Sequence, residues 1–133
     1  MNVKSVAITK KEKFRTQVQT DPHFFIVDEP ISVGGKDLGP SPGELLASSL
    51  ASCTSITVKL YADRKGWDLE EVEVEVDFER DLKFNVTNFK KVISFTGNLT
   101  EEQIHRLHEI AEKCPVHRML ANPIQIQSEI KVK

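Results

Sequence analysis

Two cysteines, Cys53 and Cys114, stand far apart in the sequence, each in a segment suited to holding a thiol rather than hiding one. The thiolate is the reactive form of cysteine, and cationic neighbours or a helix start favour it. Two thiols that meet can pass between dithiol and disulfide by way of a sulfenic acid. Cys114 is followed by Pro115, which fits the first position of a helix, then by Val116, His117, Arg118, Met119 and Leu120. A thiol at a helix start beside His117 and Arg118 is in a setting that favours ionisation. Other readings of the same residues stand beside this one. Cys53, Cys114 and His117 are three zinc-compatible groups, although no fourth ligand is apparent. His105 and His108 form a weak metal pair at best, and with His23 they read as surface or partly buried residues. Both cysteines could also be small core hydrophobes.

The elements that must position these thiols are legible. Ser41 reads as an N-cap, Pro42 as the first helical residue, and Glu44 as the N3 partner that reaches back to the cap. From there the chain runs without a breaker past Cys53 to Gly66, a helix of about 24 residues and about 36 Å. It is apolar on nearly every face, the pattern of a buried helix. Glu44, Lys59, Asp63 and Arg64, with several Ser and Thr, interrupt it as a membrane span. A second helix starts at a Thr100 and Gln103 capping box and carries Ile104, Leu107, Ile110, Ala111 and Cys114 on one face.

Before the long helix, Val3 to Thr9, Phe14 to Thr20 and Phe24 to Val27 read as a meander of short strands, and residues 31–40 as a loop. After it, Val72, Val74, Val76 and Phe78 alternate with acidic residues in the clearest strand of the chain, one face buried and the acidic face solvated. Lys91 to Leu99 supplies another strand, and Ile124, Ile126, Ser128, Ile130 and Val132 a last one. The pattern predicts an α+β fold with antiparallel sheet and helices on one side.

With 133 residues, 39% apolar and 29% charged, the chain is predicted to form one domain, residues 1–133, large enough for a core. A net charge of −2 with scattered Lys and Arg argues against a nucleic-acid surface. The segment Met1–Ile8 carries no apolar run of export-signal length, so a cytoplasmic location and no membrane association are expected. In that compartment two cysteines that approach one another are transient and catalytic rather than structural.

Val27-Asp28-Glu29-Pro30 with Gly34-Gly35, then Gly39 to Leu46 through Cys53-Thr54, and finally Cys114-Pro115-Val116, resemble in order and spacing the family of osmotically inducible protein C and organic hydroperoxide resistance proteins (OsmC/Ohr). The resemblance implies antiparallel sheets packed on a long central helix, in an intertwined homodimer with two interfacial sites. It implies Cys53 as the peroxidatic thiol and Cys114 as the resolving thiol, with an apolar pocket for the organic tail and a dithiol reductant to reopen the disulfide. It needs no cofactor and no metal. In the family an N-terminal Arg and a Glu near the start of the central helix activate the first thiol. Arg15 is the N-terminal candidate here. Gly43 stands at the usual Glu position, and Glu44, the candidate carboxylate, lies about 100° further round the helix. The second motif, Cys-Pro-Val-His-Arg, resembles a less characterised branch.

The leading expectation is a thiol-dependent reduction of organic hydroperoxides as part of a stress response. The principal alternative is a non-catalytic module of the same fold that holds a small ligand beside cysteines that never cycle. A structural metal or interaction protein is a third.

Overall fold

A computed structural model describes residues 2–133. The chain divides into two compact units, one running up to Ala47 and the other from Ser48. The first holds an antiparallel meander of β1 (Val6–Thr9), β2 (Thr16–Thr20) and β3 (His23–Val27). Register runs from Val6 opposite Gln19 to Thr9 opposite Thr16, and from Thr16 opposite Val27 to Thr20 opposite His23. The first two strands start later than predicted. Val3 has nothing to pair with because β2 turns away at Asp21-Pro22, and Lys13, at φ 51°, keeps Phe14 and Arg15 in the turn.

The expected loop contains one turn of 3-10 helix, Ile31–Val33. It is tied to the sheet by the buried carboxylate of Asp28, which accepts from the backbone amides of Glu29 (2.7 Å), Lys36 (3.3 Å) and Leu38 (3.2 Å). Gly35 makes this return possible: a Cβ there would lie 2.0 Å from the Glu29 carbonyl oxygen.

Helix α1 spans Pro42–Lys65, the 24 residues that the capping signals predict. The Ser41 Oγ accepts from the Glu44 amide (3.2 Å), and the Glu44 carboxylate accepts from the Ser41 amide (2.9 Å). In the second unit β4 (Asp68–Asp81) and β5 (Val86–Asn98) form a long antiparallel hairpin, followed by α2 (Glu101–Ala111) and α3 (Pro115–Leu120). The core is Val58, Ala62, Leu69, Leu107 and Ala111, with Tyr61, Trp67, Val72, Ile93, Phe95 and Leu99 packed around it. At its edge the Arg106 Nε donates to the Tyr61 hydroxyl (3.1 Å), joining α2 to the C-terminal half of α1.

Three expectations are corrected. Helix α1 is not enclosed on all sides within the chain. Its buried residues are the single stripe Leu50, Thr54, Val58 and Ala62, while Ile56 and Leu60 are each 57% exposed. Four residues at steps of four mark one face, so one layer of structure covers it. By length and composition alone α1 could cross a membrane, with a hydropathy of 1.2 over its most apolar window, but its covered stripe lies on protein. Secondly, α2 ends at Ala111, and Cys114 instead caps α3. Thirdly, residues 124–132 form no strand: they pair with neither sheet, and all are exposed. Alternating Ile and Val give a segment strand character, but a strand exists only where another offers free backbone groups.

Candidate functional site

Cys53 lies midway along α1, next to the buried Thr54. Cys114 caps α3, its sulfur accepting from the His117 amide at 3.5 Å, with Pro115 at the helix start. Pro115 lacks an amide proton, so the first donors of this helix are those of Val116 and His117, and both face sulfur. The two thiols lie close enough to act on one another's ionisation, and both are free. Cys53 is half-buried and Cys114 is 0% exposed.

The pair is electrostatically unequal. Burial pushes the Cys53 thiol up, and the neighbouring Cys114 adds to this, because Cys53 acts as donor to it. Burial acts on Cys114 in the same sense but is outweighed. The neighbouring Cys53 thiol, the His117 amide, the Thr54 hydroxyl and the Val116 amide together bring it below its ordinary value. The two sulfurs thus act on each other's ionisation, which is shifted up at Cys53 and down at Cys114.

A cluster of polar groups joins β5 to α1 and to the end of α2. The Lys91 ammonium, on β5, donates to the Thr54 Oγ1 (3.2 Å) and to the Ala111 carbonyl (3.2 Å), and lies 3.9 Å from the Glu112 carboxylate. The same carboxylate oxygen is 3.4 Å from the His117 Nδ1. Lys91 and Thr54 were not among the residues expected from sequence. A signal existed for Lys91: it shares its parity with Phe89, Ile93 and Phe95, so the alternation that builds β5 points it inward. His117, weighed as a zinc ligand, turns its ring to Glu112, and among the described residues no three His, Cys, Asp or Glu side chains are grouped to hold a metal ion.

The other two candidates belong to the first unit. Glu44 spends its carboxylate in the capping box of α1, and the Ser41 amide and hydroxyl hold it below its ordinary value. Arg15 lines a cavity of about 830 Å³ over β1 and β2, together with Val6, Ile8, Lys10 and Gln17. A second cavity, about 460 Å³, lies between β5 and α2 and is lined by Ile93, Phe95, Ile104, His105 and His108. Neither cavity is lined by a cysteine.

The sequence model of the OsmC-like protein family matches residues 34–129, a span that includes both thiols. The chain belongs to the OsmC-like family. Its fold is that of solved family members. An OsmC-like protein from Mycoplasma pneumoniae superposes with a TM-score of 0.77 at 19% identity, covering 91% of this chain and 88% of the other. The organic hydroperoxide resistance protein OhrB of Bacillus subtilis superposes with a TM-score of 0.60 at 19% identity, covering 89% of each chain. In sequence, the uncharacterised protein YmaD of Bacillus subtilis is 23% identical over 113 residues, 78% of this chain and 75% of that protein. The α+β fold of antiparallel sheets on a long helix, expected from the periodicities, is thus the OsmC-like fold.

Proposed function

We propose that the chain reduces organic hydroperoxides to alcohols by cycling Cys53 and Cys114 between dithiol and disulfide. The observation that carries this reading is the proximity of the two thiols, each of which acts on the other's ionisation. Support comes from the family and from the organic hydroperoxide resistance proteins that share the fold.

Cys53 is the more accessible sulfur and meets the peroxide. As it attacks the distal peroxide oxygen its own proton is given up to solvent, the O–O bond breaks, and the alkoxide leaves as alcohol on taking up a proton. Cys53 is left as a sulfenic acid. The Cys114 sulfur then attacks it, the S–O bond breaks, water departs, and the disulfide forms. One hydroperoxide and two thiols give one alcohol, one water and one disulfide, which a dithiol reductant reopens. Arg15 and Glu44 are assigned, as part of this proposal, to activating Cys53 in the assembled protein. We place the protein in the cytoplasm, where such reductants are maintained.

The proposal includes a homodimer. The apolar side chains left exposed on α1 and the unpaired, alternating segment 124–132 are surfaces that a second copy would cover.

The test is titration of the reduced protein with an alkyl hydroperoxide. Loss of two thiols per peroxide is expected, abolished in Cys53→Ser, while Cys114→Ser accumulates a sulfenic acid that dimedone traps. An unchanged thiol titre overturns the reading, and saturable binding of the same compound without thiol loss would identify a non-catalytic binding module.

A further inference from the structure

Tyr61, in the last turns of α1, and Trp67, just beyond the helix, are the only tyrosine and the only tryptophan of the chain, and their rings meet edge to face with centroids 5.5 Å apart. Two cations converge on the Tyr61 ring from different elements. The Lys65 ammonium, one turn further along α1, lies 5.6 Å from the ring centroid, and the Arg106 guanidinium, on α2, lies 5.5 Å from it. Arg106 also donates from Nε to the Tyr61 hydroxyl at 3.1 Å. A guanidinium can only donate, so the phenol oxygen accepts and the hydroxyl keeps its own proton, for which no described residue is the acceptor. The charge around this hydroxyl is not balanced. Glu109, 3.7 Å from the Arg106 Nη1, is the one carboxylate paired with these cations among the described residues, and it is shared with His105 at 3.9 Å. Lys65 is exposed and forms no ion pair among the described residues. The phenol is accordingly held below its ordinary value, first by the Arg106 hydrogen bond, with burial opposing and the charges of Arg106, Lys65 and Lys113 adding to it. Tyr61 and Arg106 are half-buried, so their polar ends are open to a solute.

We propose that the Tyr61 hydroxyl, the Arg106 guanidinium and the Lys65 ammonium form a binding site for a phosphate group, where α2 packs on the C-terminal half of α1. The site offers donors and positive charge, and a phosphate dianion offers acceptors and negative charge. Two cations from two helices suit a dianion better than a carboxylate of single charge. A ligand that must donate finds only Glu109, which Arg106 and His105 already occupy. The site stands about 12 Å along α1 from Cys53 and is tested without any thiol chemistry.

The experiment titrates the full-length reduced protein with inorganic phosphate and reads the fluorescence of Trp67, with sodium chloride holding the ionic strength constant because salt screens exposed charges. A saturable change is expected with phosphate and with glycerol phosphate, and none with acetate or chloride. Tighter binding of the ester assigns the site to a phosphorylated small molecule, and equal or weaker binding assigns it to the free ion; either result supports the site. Tyr61→Phe keeps the ring against Trp67 and both cations and removes only the hydroxyl, so affinity should fall about tenfold. Lys65→Gln should weaken binding about threefold, and Arg106→Gln should abolish saturation. Tyr61 is also its own reporter, since the ionisation of a single tyrosine is read by ultraviolet difference absorbance. Bound phosphate accepts the phenol proton as a hydrogen bond and repels phenolate, so saturating phosphate should move the phenol midpoint upward, a shift that a purely structural Arg106–Tyr61 link would not show. Should Arg106→Gln fail to fold, Tyr61→Phe and the phenol midpoint of the parent still decide the matter. Parental affinity in Tyr61→Phe, the same fluorescence change with chloride alone, or a phenol midpoint unmoved by phosphate overturns the proposal.

Discussion

Thr54 and Cys53 are neighbours on one helix, yet they face different surroundings, and this leaves Cys53 more accessible than the fully buried Cys114. A turn of about 100° per residue puts Thr54 in the buried stripe and leaves Cys53 at its margin. Cys114, at the start of α3, is closed off completely. A bulky maleimide should therefore modify one thiol per native chain, at Cys53, and reach Cys114 only after denaturation; peptide mapping by mass spectrometry reads the result. The more accessible thiol is the one proposed above to meet the peroxide. At this scale the sequence showed the two cysteines and the thiolate-favouring start of α3. It did not show Thr54, which in a run of Ser and Thr carries no mark of its own.

The elements that carry these residues depend on a few local devices whose failure is measurable. Asp28 would be pushed up by its burial, but amide hydrogen bonds from Glu29, Leu38 and Lys36 outweigh this, and its carboxyl lies below the ordinary value. A depressed carboxyl contributes stability that is present above the unfolded-state pKa, about 3.9, and is lost as pH falls through the lower folded value. Urea unfolding midpoints should thus fall below about pH 4, and Asp28→Asn should flatten that part of the profile. In the hairpin, Gly97 at φ 146° faces a β-bulge between Leu69 and Glu71, and a Cβ there would lie 2.1 Å from the Asp68 carbonyl oxygen. Gly97→Ala should destabilise the second unit, since both the backbone angle and the contact resist it. Leu107, fully buried at the centre of the core, should cost about 2–5 kcal/mol on truncation to alanine, measured by the same unfolding experiment. The helices were the most legible elements, because caps and a breaker mark both ends of α1 and the capping box marks the start of α2. Strand ends were less so, since pairing partners fix them.

At the scale of the whole molecule, α1 and the segment after α3 present more apolar surface than one chain covers. Ile126 and Ile130 are 85% and 90% exposed. If a second copy covers them, as proposed, Ile126→Lys with Ile130→Lys should shift the protein toward monomer in sedimentation velocity while leaving the helical circular dichroism signal largely in place. A dimer undisturbed by both charges would place the interface elsewhere. The sequence by itself determined the order of elements, the length of α1, the alternation of β4 and the presence of two candidate thiols, because each depends on residues close together in the chain: caps, breakers and periodicity. Only tertiary structure decided that the two thiols are neighbours, that Lys91 reaches Thr54, and that residues 124–132 find no sheet within the chain. Those outcomes depend on groups brought together from distant segments, where a hydrogen bond has a direction and a strand needs a partner, and no local pattern encodes either.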